Sequence, residues 1–274
     1  MRLIAAQKIT DTVARLCVKA NIELRPDVLS ALRRARSLET TARAKSILKA
    51  IIDNAAIARR KKLAVCQDTG LPCVYIELGR DVRVRGDLNR AVNQGIEKGY
   101  RLAYLRNSVV RDPLGRGTSG YSPGIVHIDL VKGGRIKITV LPKGFGCENK
   151  SRLMMFNPTA GMDDIKRFIV DTVRTAGPDA CPPYVVGVGI GGTADLACLL
   201  AKKALLRNIG AHHSSRLEED ILAAVNRLNI GPMGLGGRTT ALAVRIETHP
   251  THIAGLPVSV NISCHATRSA TATI

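Results

Sequence analysis

The run Leu63-Ala64-Val65-Cys66-Gln67-Asp68-Thr69-Gly70, followed by Leu71-Pro72-Cys73-Val74-Tyr75-Ile76, sets a polar turn between two short apolar segments. Both segments carry strand-forming residues, and Asp68, Gly70 and Pro72 supply the turn chemistry that would separate them. The reading is strand, turn, strand. A thiol, an amide and a carboxylate emerge together at a strand end, where α/β proteins tend to carry their chemistry. A buried cysteine beside a well-formed turn would look the same in isolation, so the rest of the chain decides.

Upstream, residues 1–60 read as a helical region. Ile9, Val13, Leu16 and Ala20 recur at helical spacing, Pro26 suits the first position of a helix, and Ala44, Ile47, Leu48, Ile51, Ala55 and Ala58 form another stripe. Downstream, Val82 and Val84 mark a short strand. Leu88, Val92, Ile96, Gly99 and Ala103 form the inner face of a helix that delivers Arg106 into an irregular stretch, 105–124. A loop of that length inside a folded chain is either functional or disordered. Residues 125–131 and 136–141 alternate around Lys132-Gly133-Gly134-Arg135, which predicts a hairpin. Lys143-Gly144-Phe145-Gly146-Cys147 follows, with glycines that let backbone approach a ligand. Ile165, Phe168, Ile169, Thr172 and Ala176 then mark a helix stopped by Gly177.

Cys181-Pro182-Pro183 leads into a strand at Tyr184, a glycine-rich turn, and a helix with Leu196, Leu199, Leu200 and Lys203 on one side. Gly187, Gly189 and Gly192 fit the dinucleotide-binding spacing, but the acidic residue expected about 20 positions on is missing. The glycines therefore read mainly as close strand–helix packing, and an anion at the helix N-terminus is the lesser alternative. Ser215 and Glu218 form a capping box for a helix with Leu217, Ile221, Ala224 and Leu228 inward, ended by Gly231. Strands at 241–247 and 258–263 flank Thr248-His249-Pro250-Thr251-His252, and Cys264-His265 follows. The whole is a mixed α/β fold treated as one domain over 1–274.

At 274 residues, 45% of them hydrophobic, the chain can bury a large core, although aromatics are only 3% and Trp is absent. The formal charge of +19, from 41 basic and 22 acidic residues, favours acidic partners. A basic nucleic-acid-binding module is the alternative from a different class. It is disfavoured because three Phe and five Tyr offer few stacking platforms. Seven cysteines, an odd number, point to a reducing compartment, so a cytoplasmic protein is expected. No apolar run reaches the roughly 18 residues of a membrane span.

Cys66, Cys181 and Cys264 each flank a predicted strand beside Gly, Pro or polar residues, whereas Cys17, Cys73 and Cys198 sit within regular patterns and read as small core residues. No C-x-x-C spacing is present, so spacing alone identifies no metal site. Taken in order, Cys66-Gln67-Asp68-Thr69-Gly70, Leu105-Arg106, Arg111-Asp112-Pro113-Leu114, Pro142-Lys143-Gly144-Phe145-Gly146, Ala180-Cys181-Pro182-Pro183, Gly189-Ile190-Gly191-Gly192-Thr193, the glycines of 231–237, and Pro250-Thr251-His252 through Cys264-His265 strongly resemble one family. It is that of the class I, iron–sulfur fumarate hydratases, in particular the alpha subunit of their two-subunit form, with L-tartrate dehydratase alpha subunits as close kin. The resemblance runs nearly end to end.

The resemblance implies a [4Fe-4S] cluster on Cys66, Cys181 and Cys264, with Gln67, Arg106 and the backbone at Gly146 binding a dicarboxylate and Asp68 and His252 in catalytic positions. It implies reversible hydration of fumarate to (S)-malate, or the corresponding chemistry on L-tartrate. It also implies a beta subunit carrying the remaining catalytic groups, in a heterodimer or heterotetramer. Two departures stand out: Cys147 replaces an expected Ser, and the loop 115–122 is shortened to Thr118-Ser119-Gly120.

Overall fold

The computed structural model describes residues 2–210 and 214–274. Along the chain come β1 (Arg2–Ala5), α1 (Ala6–Ile22), α2 (Pro26–Leu38), α3 (Ala42–Lys61), β2 (Leu71–Gly79), β3 (Val82–Arg85), α4 (Leu88–Leu102), β4 (Val109–Asp112), β5 (Arg116–Gly120), β6 (Ile125–Val131) and β7 (Ile136–Lys143). They are followed by α5 (Phe145–Glu148), β8 (Arg152–Phe156), α6 (Met162–Ala176), β9 (Tyr184–Gly191), α7 (Ala194–Ala204), α8 (Arg216–Asn226), β10 (Ala241–His249), β11 (Leu256–Ser263) and β12 (Ala270–Thr273). The mixed α/β expectation holds, with helices filling the first sixty residues after β1. Among the described residues, no helix is long and apolar enough to cross a membrane.

Contacts sort the chain into two compact units. One takes the chain up to Arg25, Ala55–Phe145 and Arg268–Ile274; the other takes Pro26–Asn54 and Gly146–Thr267. In the first unit a four-stranded sheet runs β12-β7-β2-β6. Ile9, Val13, Leu16 and Ala20 of α1 meet Val92, Ile96 and Tyr100 of α4 over Val74, Ile76, Ile136, Ile138 and Val140 of the sheet. The apolar stripes read from the sequence are thus the buried faces, and their burial is the main force assembling this unit.

Three expectations for this unit are corrected. Leu63-Ala64-Val65 is not a strand: the Val65 N–H donates to the Asn21 carbonyl (2.8 Å) at the end of α1, so a helix terminus, and not a ladder, satisfies this backbone. β6 and β7 do not form a hairpin, because β2 lies between them, parallel to β6 and antiparallel to β7. Residues 132–135 instead bridge two strand spacings, about 10 Å. The gap is filled by the end of β2 and the turn after it, where the Gly79 and Asp81 N–H groups donate to the Arg135 and Gly133 carbonyls at 2.9 and 3.1 Å. The stretch 105–124 is not wholly irregular either: β4 and β5 pair antiparallel. The Asp112 carboxylate closes their turn, accepting from the Leu114 and Gly115 N–H groups at 3.0 and 2.9 Å. Those two donors hold its carboxyl below the usual carboxylate range.

In the second unit the sheet order is β10-β9-β11-β8, with β9 parallel to β10 and antiparallel to β11. Alternate residues of β9 divide the layers. Tyr184, Val186 and Val188 pack with Ile165, Phe168 and Ile169 of α6 and Ile221 and Val225 of α8. Gly187 and Gly189 face α7, and a Cβ on either would lie 2.1 Å from the Ala201 or Ala197 carbonyl oxygen. The close-packing reading of these glycines is right, although they lie within the strand and not in a turn.

The same contact selects the buried face of α7: its buried residues are Ala197, Ala201 and Ala204, while the leucines are half-buried. Only small side chains fit against a glycine strand. Cys198, expected in the core, is exposed. The Ser215–Glu218 capping box is present, but α8 ends at Asn226, short of Gly231. There the Asn226 side chain accepts from the Thr240 and Ala241 N–H groups at 2.8 and 2.9 Å and fixes the start of β10.

Replacing Gly187 with Ala should force α7 away from the sheet. We expect a loss of about 2 kcal/mol or more, the upper range for overpacking, read as a lowered urea midpoint, whereas Cys198→Ala at the exposed site should leave the midpoint unchanged.

Candidate active site

Between α3 and β2 the chain makes the turn that carries Cys66, Gln67 and Asp68. Gly70 has φ +77°, and a Cβ there would sit 2.7 Å from the Pro142 carbonyl carbon, so only glycine serves where β2 begins against the end of β7. The Asp68 carboxylate is held at both oxygens. Oδ1 accepts from the Gly70 N–H and Oδ2 from the Phe145 N–H, each at 2.9 Å.

The carbonyls of residues 68–70 are satisfied from behind. The Tyr100 hydroxyl donates to the Thr69 and Gly70 carbonyls (2.8 and 3.2 Å), and Arg268 Nη2 donates to the Asp68 carbonyl. Burial pushes the Tyr100 hydroxyl far above its ordinary pKa, so it stays a donor. The Thr69 hydroxyl accepts the Arg106 N–H at 3.1 Å, which ties the segment after α4 to the turn and leaves the Arg106 side chain exposed.

Asp68 opens onto a cavity of about 360 Å³ in this unit, walled by Leu71, Val109 and Phe145 and carrying Ser108 and Arg116 as further polar residues. Arg116 was not singled out from the sequence. It belongs to the β4–β5 hairpin, and with that stretch read as a loop nothing marked which of its cations would face a pocket.

In the second unit, Cys181 follows α6 with φ +57° and precedes a cis Pro182–Pro183 bond. Its carbonyl accepts the His265 N–H at 3.3 Å, and His265 Nδ1 lies 3.1 Å away. Because His265 follows Cys264, the segments carrying these two cysteines are joined at one end of the β9–β11 pair. The Cys147 thiol is buried and donates to the Ala180 carbonyl at 3.4 Å, so this departure from the family serves the core beside Cys181. Gly146 is exposed in α5. His252 is exposed between β10 and β11, where its Nδ1 accepts the Ala254 N–H at 3.2 Å.

No described cysteine is in a disulfide. Cys66, Cys181 and Cys264 are half-buried, unlike the buried Cys17, Cys73 and Cys147 and the exposed Cys198. Half-buried thiols on turns suit soft, thiolate-bound metal chemistry better than core thiols do; burial alone pushes the Cys17 thiol up to about 12. Among the described residues of either unit, no three His, Cys, Asp or Glu side chains gather as a group that would hold a metal ion.

The profile of the fumarate hydratase (Fumerase) family matches residues 10–273. The chain therefore belongs to the fumarate hydratase family and is a hydro-lyase by family. The relatives that follow are named as alpha subunits. A Methanocaldococcus jannaschii protein provisionally named L(+)-tartrate dehydratase subunit alpha is 42% identical over 96% of this chain and 96% of its own length. The L(+)-tartrate dehydratase subunit alpha of Escherichia coli K12 is 30% identical over 97% of this chain and 91% of its own length, as is that of Shigella sonnei.

Tyr100→Phe removes the donor to two buried carbonyls. A loss of about 1–3 kcal/mol is expected from leaving them unsatisfied, measured by urea unfolding.

Proposed function

We propose that the chain is the alpha subunit of an iron–sulfur hydro-lyase that adds and removes water across a four-carbon dicarboxylate, fumarate and (S)-malate being the pair. The carrying observation is Asp68: the turn that matches the family motif directs a carboxylate, fixed at both oxygens, into a cavity large enough for such an acid. L-tartrate is the second reading, favoured by the names of the relatives.

In this reading Cys66, Cys181 and Cys264 hold a [4Fe-4S] cluster. Three thiolates on four irons leave one iron open, and when bound it supplies a Lewis acid for the departing hydroxyl. The chain's own groups do the rest. Asp68 handles the proton at its carboxylate, which the Gly70 and Phe145 N–H groups aim. Arg106, exposed and anchored through its backbone, grips a substrate carboxylate with a planar pair of donors. Gln67 and the Gly146 N–H bind and orient the same acid, and His252 takes the second catalytic position.

A beta subunit supplies the remaining proton-transfer and positioning groups, in a heterodimer or heterotetramer. The edge strand β8 supports a covered surface, since Leu153, Met154 and Met155 are exposed along it. The cysteines without disulfides support a reducing, cytoplasmic setting.

The test is an anaerobic assay of the chain alone and with its beta subunit against fumarate, (S)-malate and L-tartrate. Turnover should require both chains, because absent acid–base help costs about 10²–10⁴-fold. Faster turnover of the fumarate–malate pair or of L-tartrate names the substrate. Full activity from the single polypeptide would contradict the two-subunit reading. Arg106→Lys should raise KM about tenfold while the visible cluster spectrum stays, because the charge remains and the fork is lost.

A further inference from the structure

The family motif covers the side chains on the turn and not what holds the turn from beneath. Arg268 stands four residues after Cys264 in the chain. It is 3% exposed, and its Nη2 donates to the Asp68 carbonyl. Its Nε has no acceptor, and no carboxylate is within ion-pair reach of it, among the described residues. A buried guanidinium in that condition is costly, and a carbonyl needs only a neutral donor. Tyr100 next to it is such a donor, serving the Thr69 and Gly70 carbonyls. The cation therefore does something a neutral donor does not: it places positive charge under the turn that carries Asp68.

We infer that Arg268 is a positioning residue for Asp68, acting with Tyr100 as a clamp on three consecutive carbonyls that fixes the turn and so keeps the carboxylate turned toward the Gly70 and Phe145 N–H groups. Arg268 touches no substrate; it acts through the turn. If the clamp is released, the carbonyls of 68–70 lose their donors, the turn rotates, and the Gly70 and Phe145 amides lose the carboxylate that covers them. This inference rests on the hydro-lyase reading only for its catalytic consequence.

Two measurements test it. Hydrogen exchange on the full chain follows the Gly70 and Phe145 amides, with Val186 and Val188 of β9 as internal controls. In Arg268→Gln both amides should exchange about tenfold faster or more, the effect of losing one buried hydrogen bond, with the controls unchanged. Arg268→Lys, which keeps the charge and one donor, should restore part of the protection, and Tyr100→Phe should loosen the same two amides. If Arg268→Gln does not fold, the lysine variant decides by the same signal. Unchanged exchange of Gly70 and Phe145 in the Arg268 variant that folds would overturn the clamp.

In the assembled two-subunit enzyme, Arg268→Gln should lower kcat about 10–100-fold, as misplacement of a catalytic group does, with KM within about twofold. An unaltered kcat would overturn the catalytic role. Should no form turn over any of the three acids, the functional reading falls while the exchange result still decides the clamp.

Discussion

A turn that aims its side chains outward must turn its carbonyls inward, and buried carbonyls require donors. In this chain the Asp68, Thr69 and Gly70 carbonyls all point into the core of one unit, where Tyr100 and Arg268 meet them. The rest of that unit serves this arrangement. The burial of α4 against α1 sets the height of Tyr100, β12 begins two residues after Arg268, and the end of β7 presses on Gly70. The sheet and its helices are therefore a platform for one polar turn, and donors on the carbonyls of residues 68–70 hold that turn in place.

The second unit solves a different problem. Cys181 and Cys264 come from segments 83 residues apart (264 − 181), and the antiparallel pairing of β9 with β11 closes that distance. His265 then locks the two segments through the Cys181 carbonyl. β9 must be central for this, and it is central because glycine on one face admits α7 at backbone contact while valine on the other fills the core under α6 and α8. The glycine-rich sequence that mimics a nucleotide fingerprint is thus a packing device.

Much of this was legible in the sequence wherever a periodic apolar pattern meets a single surface. The stripes of α1, α3, α4 and α6 are read correctly because each buries one face. Alternation in β6 and β7 showed two strands truly but said nothing about which neighbour each takes, and β2 slips between them. In α7 the size limit that Gly187 and Gly189 impose puts alanines against the sheet, which the leucine spacing does not reveal. Of the candidate residues, Asp68 could be found from its motif. Arg268 and Tyr100 could not, since their bonds to the turn span 200 and 31 positions and neither residue differs in sequence from an ordinary surface arginine or core tyrosine. Arg116 stayed hidden because a hairpin closed by Asp112 reads as a loop until its strands are seen to pair.

The central claim is that three particular thiolates hold an iron–sulfur cluster in this hydro-lyase. The most direct measurement is iron and acid-labile sulfide content, with the visible absorption, after anaerobic reconstitution of the full chain and of single serine variants. The account predicts a brown protein with about four irons and four sulfides per chain, the content of a [4Fe-4S] centre. It predicts that the cluster is lost or crippled in Cys66→Ser, Cys181→Ser and Cys264→Ser, and intact in Cys17→Ser and Cys198→Ser. A colourless protein, or unchanged iron and sulfide in Cys181→Ser, would contradict it.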